Sequence, residues 1–190
     1  MNKTAVRTGM FLGILLGTTI IVYAVTTLFF TKTERSELSK KTVFRFDMST
    51  DMEAASVGPG DSFSVQPYIF NDATEDMFVF IRIDMPETES GKLYTYTTDD
   101  QWIIVSDSTD GYYTATTVYA YAGAEMTSLF PGESTTTLTT ELTMEEISNA
   151  EYAYIDDINI RLTGYAIGTD EISTSPEEAW EQCKAIGNIE

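Results

Sequence analysis

The 190-residue sequence contains no histidine and a single cysteine, Cys183. Without histidine there is no imidazole to act as a general base, to bind zinc or to complete a Ser-His-Asp or Cys-His arrangement. One cysteine cannot form an intrachain disulfide, so stability must come from packing, and we interpret Cys183 as a small buried residue and not as a reactive thiol. These absences argue against most hydrolase chemistries, and we expect no cofactor.

Basic residues are also scarce, since 11 Lys and Arg face 30 Asp and Glu, for a net charge of −19. A surface this acidic repels nucleic acid and anionic lipid headgroups, so we expect neither as a partner. The charge is typical of a soluble exported protein. With residues 1–24 as an N-terminal leader, 166 residues remain, which is enough for one domain with its own core.

The N-terminal leader is apolar. Thr8–Thr31 runs 24 residues without a charge, and about 20 apolar residues can cross a bilayer. Lys3 and Arg7 make a basic start, and Val22–Ala24 supplies small or modest residues at positions −3 and −1 of a signal-peptidase site. We predict cleavage after Ala24; the alternative is an uncleaved membrane anchor that extends to about residue 31.

Period-two alternation of apolar residues dominates the chain from Val43 onward and predicts antiparallel strands with one face on a core. The alternating runs are "VFRFDM", "SFSVQPYIF", "MFVFIRIDM", "QWIIVS", "GYYTATTVYAYAG", "STTTLTTELTM" and "INIRLTGYAI". The predicted core includes Val79, Ile81, Ile83, Ile160 and Leu162. We therefore predict an all-β fold, an antiparallel β-sandwich with short helices after an N-terminal apolar leader helix.

Turns and helix caps lie between these runs. "GPGD" at Gly58–Asp61 and "FPGES" at Phe130–Ser134 place Pro-Gly at the centre of type II turns, and Asp110-Gly111 fits a hairpin turn. "TMEE" at Thr143–Glu146 and "SPEE" at Ser175–Glu178 have the pattern of helix-capping boxes. The second predicts a C-terminal helix that packs on the sandwich through Ala179, Trp180, Cys183 and Ile186.

The chain is thus divided into four parts. They are a leader at residues 1–24, an N-terminal arm at 25–42, a sandwich at 43–168 and a C-terminal helix segment at 169–190. Within the arm, "TKTERSELSKK" (Thr31–Lys41) is polar with no period that would bury a face, so we predict a tether.

Acidic pairs are the candidates for a metal site. They are Asp99-Asp100, Asp107 with Asp110, and Asp156-Asp157. None has EF-hand spacing, and acid-rich turns between strands are ordinarily solvated loops. We expect no metal site; Asp107 and Asp110 are the residues to consider for Ca²⁺.

Several aromatic residues lie close together in the second half of the sequence. They are Trp102, Tyr112, Tyr113, Tyr119 and Tyr121. Alternation places Tyr113, Tyr119 and Tyr121 on one side of a strand, which favours core packing and cross-strand pairing. A carbohydrate-binding or protein-binding face is the alternative.

The motifs "VGPGDSFSVQPYIFND", "MFVFIRI", "DGYYTATTVYAYAGAEMTSLFPGES" and "LTGYAIGTD", in this order, resemble the TasA and camelysin family of Gram-positive bacteria. The resemblance extends from about Thr26 to Trp180. It implies a jelly-roll-like sandwich, export by a dedicated signal peptidase, and biofilm fibres in which an N-terminal strand of one subunit completes the sheet of the next. Camelysin-type members have been described as metalloproteases. This chain has no His-Glu-x-x-His motif, and therefore we assign that activity to none of its residues.

Our hypothesis is therefore a secreted, non-enzymatic structural subunit of an extracellular matrix fibre, a head-to-tail homopolymer located outside the cell or at its surface. Its partners are other copies and, during export, a signal peptidase; membrane contact is through the leader alone. The predicted donor strand comprises Val25, Thr26, Thr27, Leu28, Phe29 and Phe30. The first alternative is a membrane-anchored, adhesin-like binding module. An enzyme with an acid-only or Ca²⁺-dependent mechanism is the third possibility.

Overall fold

Ten strands and one helix make up the described part of the chain. The computed structural model describes residues 30–35, 44–50, 58–88, 91–109, 114–122, 128–147, 159–169, 175–187 and 189. The strands are β1 (Phe30–Arg35), β2 (Phe44–Thr50), β3 (Ser62–Asn71), β4 (Met77–Thr88), β5 (Gly91–Lys92), β6 (Tyr94–Thr95), β7 (Trp102–Thr109), β8 (Thr114–Tyr121), β9 (Glu141–Met144) and β10 (Ile160–Gly168). The helix is α1 (Pro176–Gly187).

The strands form two sheets. The larger has the order β1-β10-β4-β8-β7, with β5 paired to β4, and the smaller has the order β2-β3-β9-β6. Among the described pairs, β1–β10 is parallel and the others are antiparallel. Because the chain passes repeatedly from one sheet to the other, the two sheets enclose a common core. The predicted all-β, sandwich-like fold is confirmed.

The main core lies between the sheets and follows the alternation of the sequence. Along β4, the predicted inward residues Met77, Val79, Ile81, Ile83 and Met85 are at most 2% exposed. Ile160 and Leu162 of β10 complete the predicted core set, at 3% and 1% exposed. The smaller sheet contributes Phe44, Phe46, Phe63, Val65, Ile69, Leu142 and Met144.

Helix α1 covers part of the outer face of the larger sheet. Its residues Ala179, Trp180 and Cys183 pack against Phe80, Val118, Ala120, Tyr165 and Ile167. The Trp180 ring lies 5.3 Å from that of Phe80 and 5.4 Å from that of Tyr165, between centroids. Strands β4 and β10 are consequently buried on both faces along part of their length.

The start of α1 confirms the predicted cap. Ser175 Oγ accepts a hydrogen bond from the Glu178 N–H at 3.3 Å, and Pro176 is the first helical residue. The prediction for Ile186 is wrong, because this residue is 47% exposed. The last turn of the helix no longer lies against the sheet, so the apolar face ends at Cys183.

Both Pro-Gly turns have the predicted geometry. Gly60 and Gly132 have φ angles of 84° and 79°, the region that the third residue of a type II turn requires and that glycine adopts without a steric cost. The Asp61 N–H donates to the Gly58 carbonyl at 3.0 Å, and the Glu133 N–H donates to that of Phe130 at 3.1 Å. The predicted Asp110-Gly111 turn lies outside the described residues.

Two local predictions are wrong. "TMEE" does not begin a helix, because Thr143 and Met144 belong to β9 and residues 145–147 are not helical. Strand β9 pairs with β3 and β6 and buries Leu142 and Met144, and these long-range contacts override the local capping pattern. The first five residues of the predicted tether, from Thr31 to Arg35, belong to β1, since a sheet edge offers hydrogen bonds even to a polar segment.

Candidate functional site

One flank of the sandwich is completed by the N-terminal strand. Strand β1 pairs with β10 in a parallel register that runs from Phe30 opposite Ile160 to Arg35 opposite Tyr165. On its other side β10 pairs with β4 along Arg161–Gly168. Without β1, the backbone N–H and C=O groups along this side of β10 would be unpaired and able to bind another strand.

Beneath β1, the flank is closed by a contact between the two sheets. A Cβ built on Gly164 of β10 would lie 2.8 Å from Cγ and 2.9 Å from Cβ of Phe46 in β2. Only glycine therefore allows the Phe46 ring to pack directly on the backbone of β10. This contact joins β10 of the larger sheet directly to β2 of the smaller one.

Two of the other sheet edges, those formed by β7 and β6, are less suitable for strand addition, and the remaining edge of the smaller sheet is the seven-residue strand β2. At the far edge of the larger sheet, β7 has a β-bulge between Ile104 and Ser106, and Ile104 is 57% exposed. Bulges are a common device by which edge strands avoid unwanted pairing. At one edge of the smaller sheet, β6 has only two residues. The β10 edge is longer and regular, with nine residues.

The acidic candidate Asp107 takes part in a surface ion pair. Its Oδ1 accepts hydrogen bonds from Thr117 Oγ1 at 2.8 Å and from Lys92 Nζ at 3.3 Å. A carboxylate that already faces an ammonium group is a poor start for a Ca²⁺ site. Asp110 lies outside the described residues. Within the described ranges, no group of three or more Cys, Asp or Glu side chains could hold a metal ion.

The tyrosines of β8 are used in packing. Tyr119 is 5% exposed, and its hydroxyl lies 2.9 Å from that of Tyr96. Tyr121 donates to Gln101 Oε1 at 2.6 Å and packs edge-on against Trp102. These contacts support the packing interpretation; Tyr112 and Tyr113 lie outside the described residues.

Burial changes the titration of several of these groups. It raises the pKa of Tyr96 strongly, with a further contribution from the Tyr119 hydroxyl beside it, and it also raises the pKa of Tyr119. Burial raises the pKa of Cys183 to about 12. The thiol is therefore protonated and enclosed in the native protein, as expected of a packing residue.

The predicted donor segment is only partly within the described residues. Phe30 is the first residue of β1, whereas Val25–Phe29 and the predicted cleavage residue Ala24 lie outside. Sequence reasoning missed Thr31–Arg35 as the main pairing segment. The signal that could have found it is "FTKT", in which Phe30, Thr31 and Thr33 are β-prone residues.

None of the helices within the described ranges has the length and apolar character needed to span a membrane. Comparison with known protein families, curated proteins and solved structures gave no match.

Proposed function

We propose that this protein is an exported structural subunit that assembles outside the cell into a matrix fibre by donating its N-terminal strand to a neighbouring copy. The observation that carries the proposal is the pairing of β1 with the edge of β10. A strand near the start of the chain, held at an edge, can be exchanged between copies because the same hydrogen bonds form within or between chains. No catalytic role is part of the proposal.

The connection between β1 and the rest of the fold is long enough for such an exchange. Eight residues, 36–43, join Arg35 to Phe44. Fully extended, nine Cα–Cα steps can span about 30 Å. The donor strand can therefore reach a copy that lies directly against its own domain, but not one at a distance.

The exchange also accounts for growth into a fibre. The donor is β1 and the acceptor is the edge of β10, so the two surfaces that meet are different. A contact of this kind is head-to-tail, and it propagates as a filament unless its rotation closes a ring. The acidic composition supports a location in which the fibre stays solvated.

Proline substitution tests the proposal. Of two neighbouring residues on an edge strand, one directs its N–H towards the adjacent strand, so Lys32→Pro together with Thr33→Pro removes a ladder donor whichever residue that is. In the chain from Val25 onward, we expect this variant to fold, as judged by circular dichroism, but to form no fibres in electron micrographs.

The matched control is Thr31→Val with Thr33→Val, which preserves every backbone donor and the strand propensity. We expect it to form fibres as the unsubstituted chain does. Fibres of normal length from the proline variant would rule out strand donation. Absence of fibres from the unsubstituted chain under all conditions would reject the structural function and favour the surface-binding alternative.

A further inference from the structure

Two tyrosine hydroxyls meet on the flank of the sandwich that lies farthest from β1. Tyr119 belongs to β8 of the larger sheet, and Tyr96 directly follows β6 of the smaller sheet. We propose that Tyr96 and Tyr119 form a cross-linking site, at which a one-electron oxidant joins the two rings as dityrosine and so ties the two sheets together. This inference concerns a covalent modification within one subunit and does not depend on fibre assembly.

The pair has the geometry of two aromatic rings in contact. The hydroxyl oxygens are 2.9 Å apart, the ring centroids are 6.3 Å apart and the angle between the ring planes is 67°. Dityrosine forms between the ring carbons ortho to each hydroxyl, and each of these carbons is bonded to the carbon that carries the hydroxyl. Contact between the hydroxyls therefore brings the reacting carbons close together, and a small rotation of the rings is enough for coupling.

A hydrogen-bonded chain leads from the phenols to a surface carboxylate. A tyrosine gives up an electron readily only if its phenolic proton can leave as well. Tyr96 makes a side-chain hydrogen bond with Thr117, and Thr117 Oγ1 donates to Asp107 Oδ1 at 2.8 Å. The Asp107 side chain is 54% exposed, so its carboxylate can pass a proton to solvent. Lys92, which contacts both Thr117 and Asp107, holds this carboxylate in place.

The two tyrosines differ in exposure in a way that favours coupling within the pair. Tyr96 is half-buried, whereas Tyr119 is 5% exposed. An oxidant therefore reaches Tyr96 more easily, while the ring of another molecule is kept away from Tyr119. Two radicals held side by side react at a very high effective concentration, so the intrachain product should form before any cross-link between chains.

The reaction is balanced as a two-electron oxidation. Each phenol loses one electron and its O–H proton and becomes a neutral phenoxyl radical. The two radicals form one C–C bond between their ortho carbons, and the hydrogen on each of these carbons then moves to the oxygen and restores the phenol. The oxidant belongs to the peroxide class: with a haem peroxidase as catalyst, one hydrogen peroxide takes up the two electrons and two protons and becomes two molecules of water.

The cross-link provides a covalent tie that needs no thiol. With one cysteine, the chain cannot form an intrachain disulfide. Dityrosine between Tyr96 and Tyr119 closes a loop in the chain, which lowers the entropy of the unfolded state as a disulfide does. It also joins the two sheets close to their edge strands β6 and β7. We expect the oxidised protein to unfold at a higher urea concentration than the unoxidised protein.

Photo-oxidation of the folded protein in dilute solution tests the inference. The probe is a ruthenium bipyridyl complex with persulfate, which removes single electrons from tyrosine. We expect a monomeric product that has lost the mass of two hydrogen atoms and shows the fluorescence of dityrosine. Several aspartates lie between residues 96 and 119, so a protease that cleaves before aspartate separates the two tyrosines in the unmodified chain. In the oxidised chain, mass spectrometry should find these two peptides joined.

Phenylalanine variants identify the partners. Tyr96→Phe and Tyr119→Phe should each lose the intrachain product and the rise in the urea midpoint, since phenylalanine forms no phenoxyl radical. The matched control is Tyr121→Phe, two residues further along the same face of β8, because the Tyr121 hydroxyl donates to Gln101 and not to a tyrosine. This control should retain both effects. Circular dichroism checks that each variant is folded, and the peptide map of the unsubstituted chain decides the matter without any variant.

Two results would overturn the inference. One is an intrachain dityrosine that persists in both Tyr96→Phe and Tyr119→Phe, or a peptide map that joins other tyrosines. The other is oxidation of the unsubstituted chain that gives only cross-links between chains, or no dityrosine. Since fibre formation is not the readout, the proposed function would survive either result.

Discussion

At the residue scale, Gly164 determines how closely the two sheets approach on the flank below β1. Residues on the core side of β10 become smaller along the strand, from Ile160 and Leu162 to Gly164 and Ala166. The Phe46 ring occupies the space that a side chain at position 164 would take. The Phe46 side chain of the smaller sheet thus fills the volume that glycine leaves open in the larger sheet.

We predict that Gly164→Ala destabilises the fold by about 1–3 kcal/mol, because the added methyl group overpacks a closed contact. Where a site has room for the methyl group, Gly→Ala instead stabilises the fold by about 0.4–1 kcal/mol. The sign of the change in unfolding free energy therefore distinguishes a closed contact at Gly164 from an open one. Urea unfolding provides the measurement. In a double-mutant cycle with Phe46→Leu, the cost of Gly164→Ala should shrink, since the smaller side chain can yield; additive costs would contradict the proposed contact.

At the element scale, the strands with the clearest alternation were predictable and the elements with competing signals were not. Strands β3 and β4 bury alternate residues over most of their length as their sequences indicate, whereas β10 is buried at every residue from Leu162 to Gly168. Strand β9 carries a helix-capping pattern, yet it pairs between β3 and β6. The capping pattern concerns only four residues, whereas pairing on both sides satisfies the backbone of the whole segment.

The alternation leads to a prediction for neighbouring residues. Ile81→Ala and Ile160→Ala should each cost about 2–5 kcal/mol, because both side chains are buried in the core. Arg161→Ala, next to Ile160 but exposed, should change the free energy of unfolding by less than about 0.5 kcal/mol. Urea melts of the three variants provide the comparison. A larger loss at Arg161 than at Ile160 would mean that the register of β10 is shifted by one residue.

At the scale of the whole molecule, the free energy of unfolding should decrease at alkaline pH, because several weakly acidic side chains are buried in the native state. Burial raises the pKa of Tyr96, Tyr119 and Cys183 above their ordinary values. At a pH between the pKa of a group in the unfolded chain and its higher pKa in the folded protein, the group is mostly protonated in the folded state and mostly ionised in the unfolded state. Stability is therefore fully present below the unfolded pKa and is lost as pH rises above it.

We predict that the free energy of unfolding is nearly constant from about pH 7 to 8.5 and falls above about pH 9–10, where cysteine and tyrosine ionise in the unfolded chain. Each fully buried group can contribute up to about 1.4 kcal/mol per pH unit. Urea melts at closely spaced pH values measure the slope, and Tyr96→Phe should make it shallower. An unchanged slope in that variant would contradict the role of Tyr96.

The sequence by itself determined the fold class, most of the strands, the two Pro-Gly turns and the C-terminal helix. These features follow from period-two alternation, from the backbone freedom of Gly60 and Gly132, and from the cap at Ser175, all of which act within a few residues. The absence of histidine likewise excludes imidazole as a general base or a zinc ligand, and this follows from composition alone, whatever the fold.

Only the tertiary structure decided which strands are neighbours, that β1 runs parallel to β10, and that α1 buries the second face of β4 and β10. The physical reason is that strand pairing depends on backbone groups that are alike in every residue, so local side-chain patterns do not identify the partner. Polar residues of "TKTER" indicate a solvated segment, yet their backbone can still complete an edge that lies more than a hundred residues away in sequence.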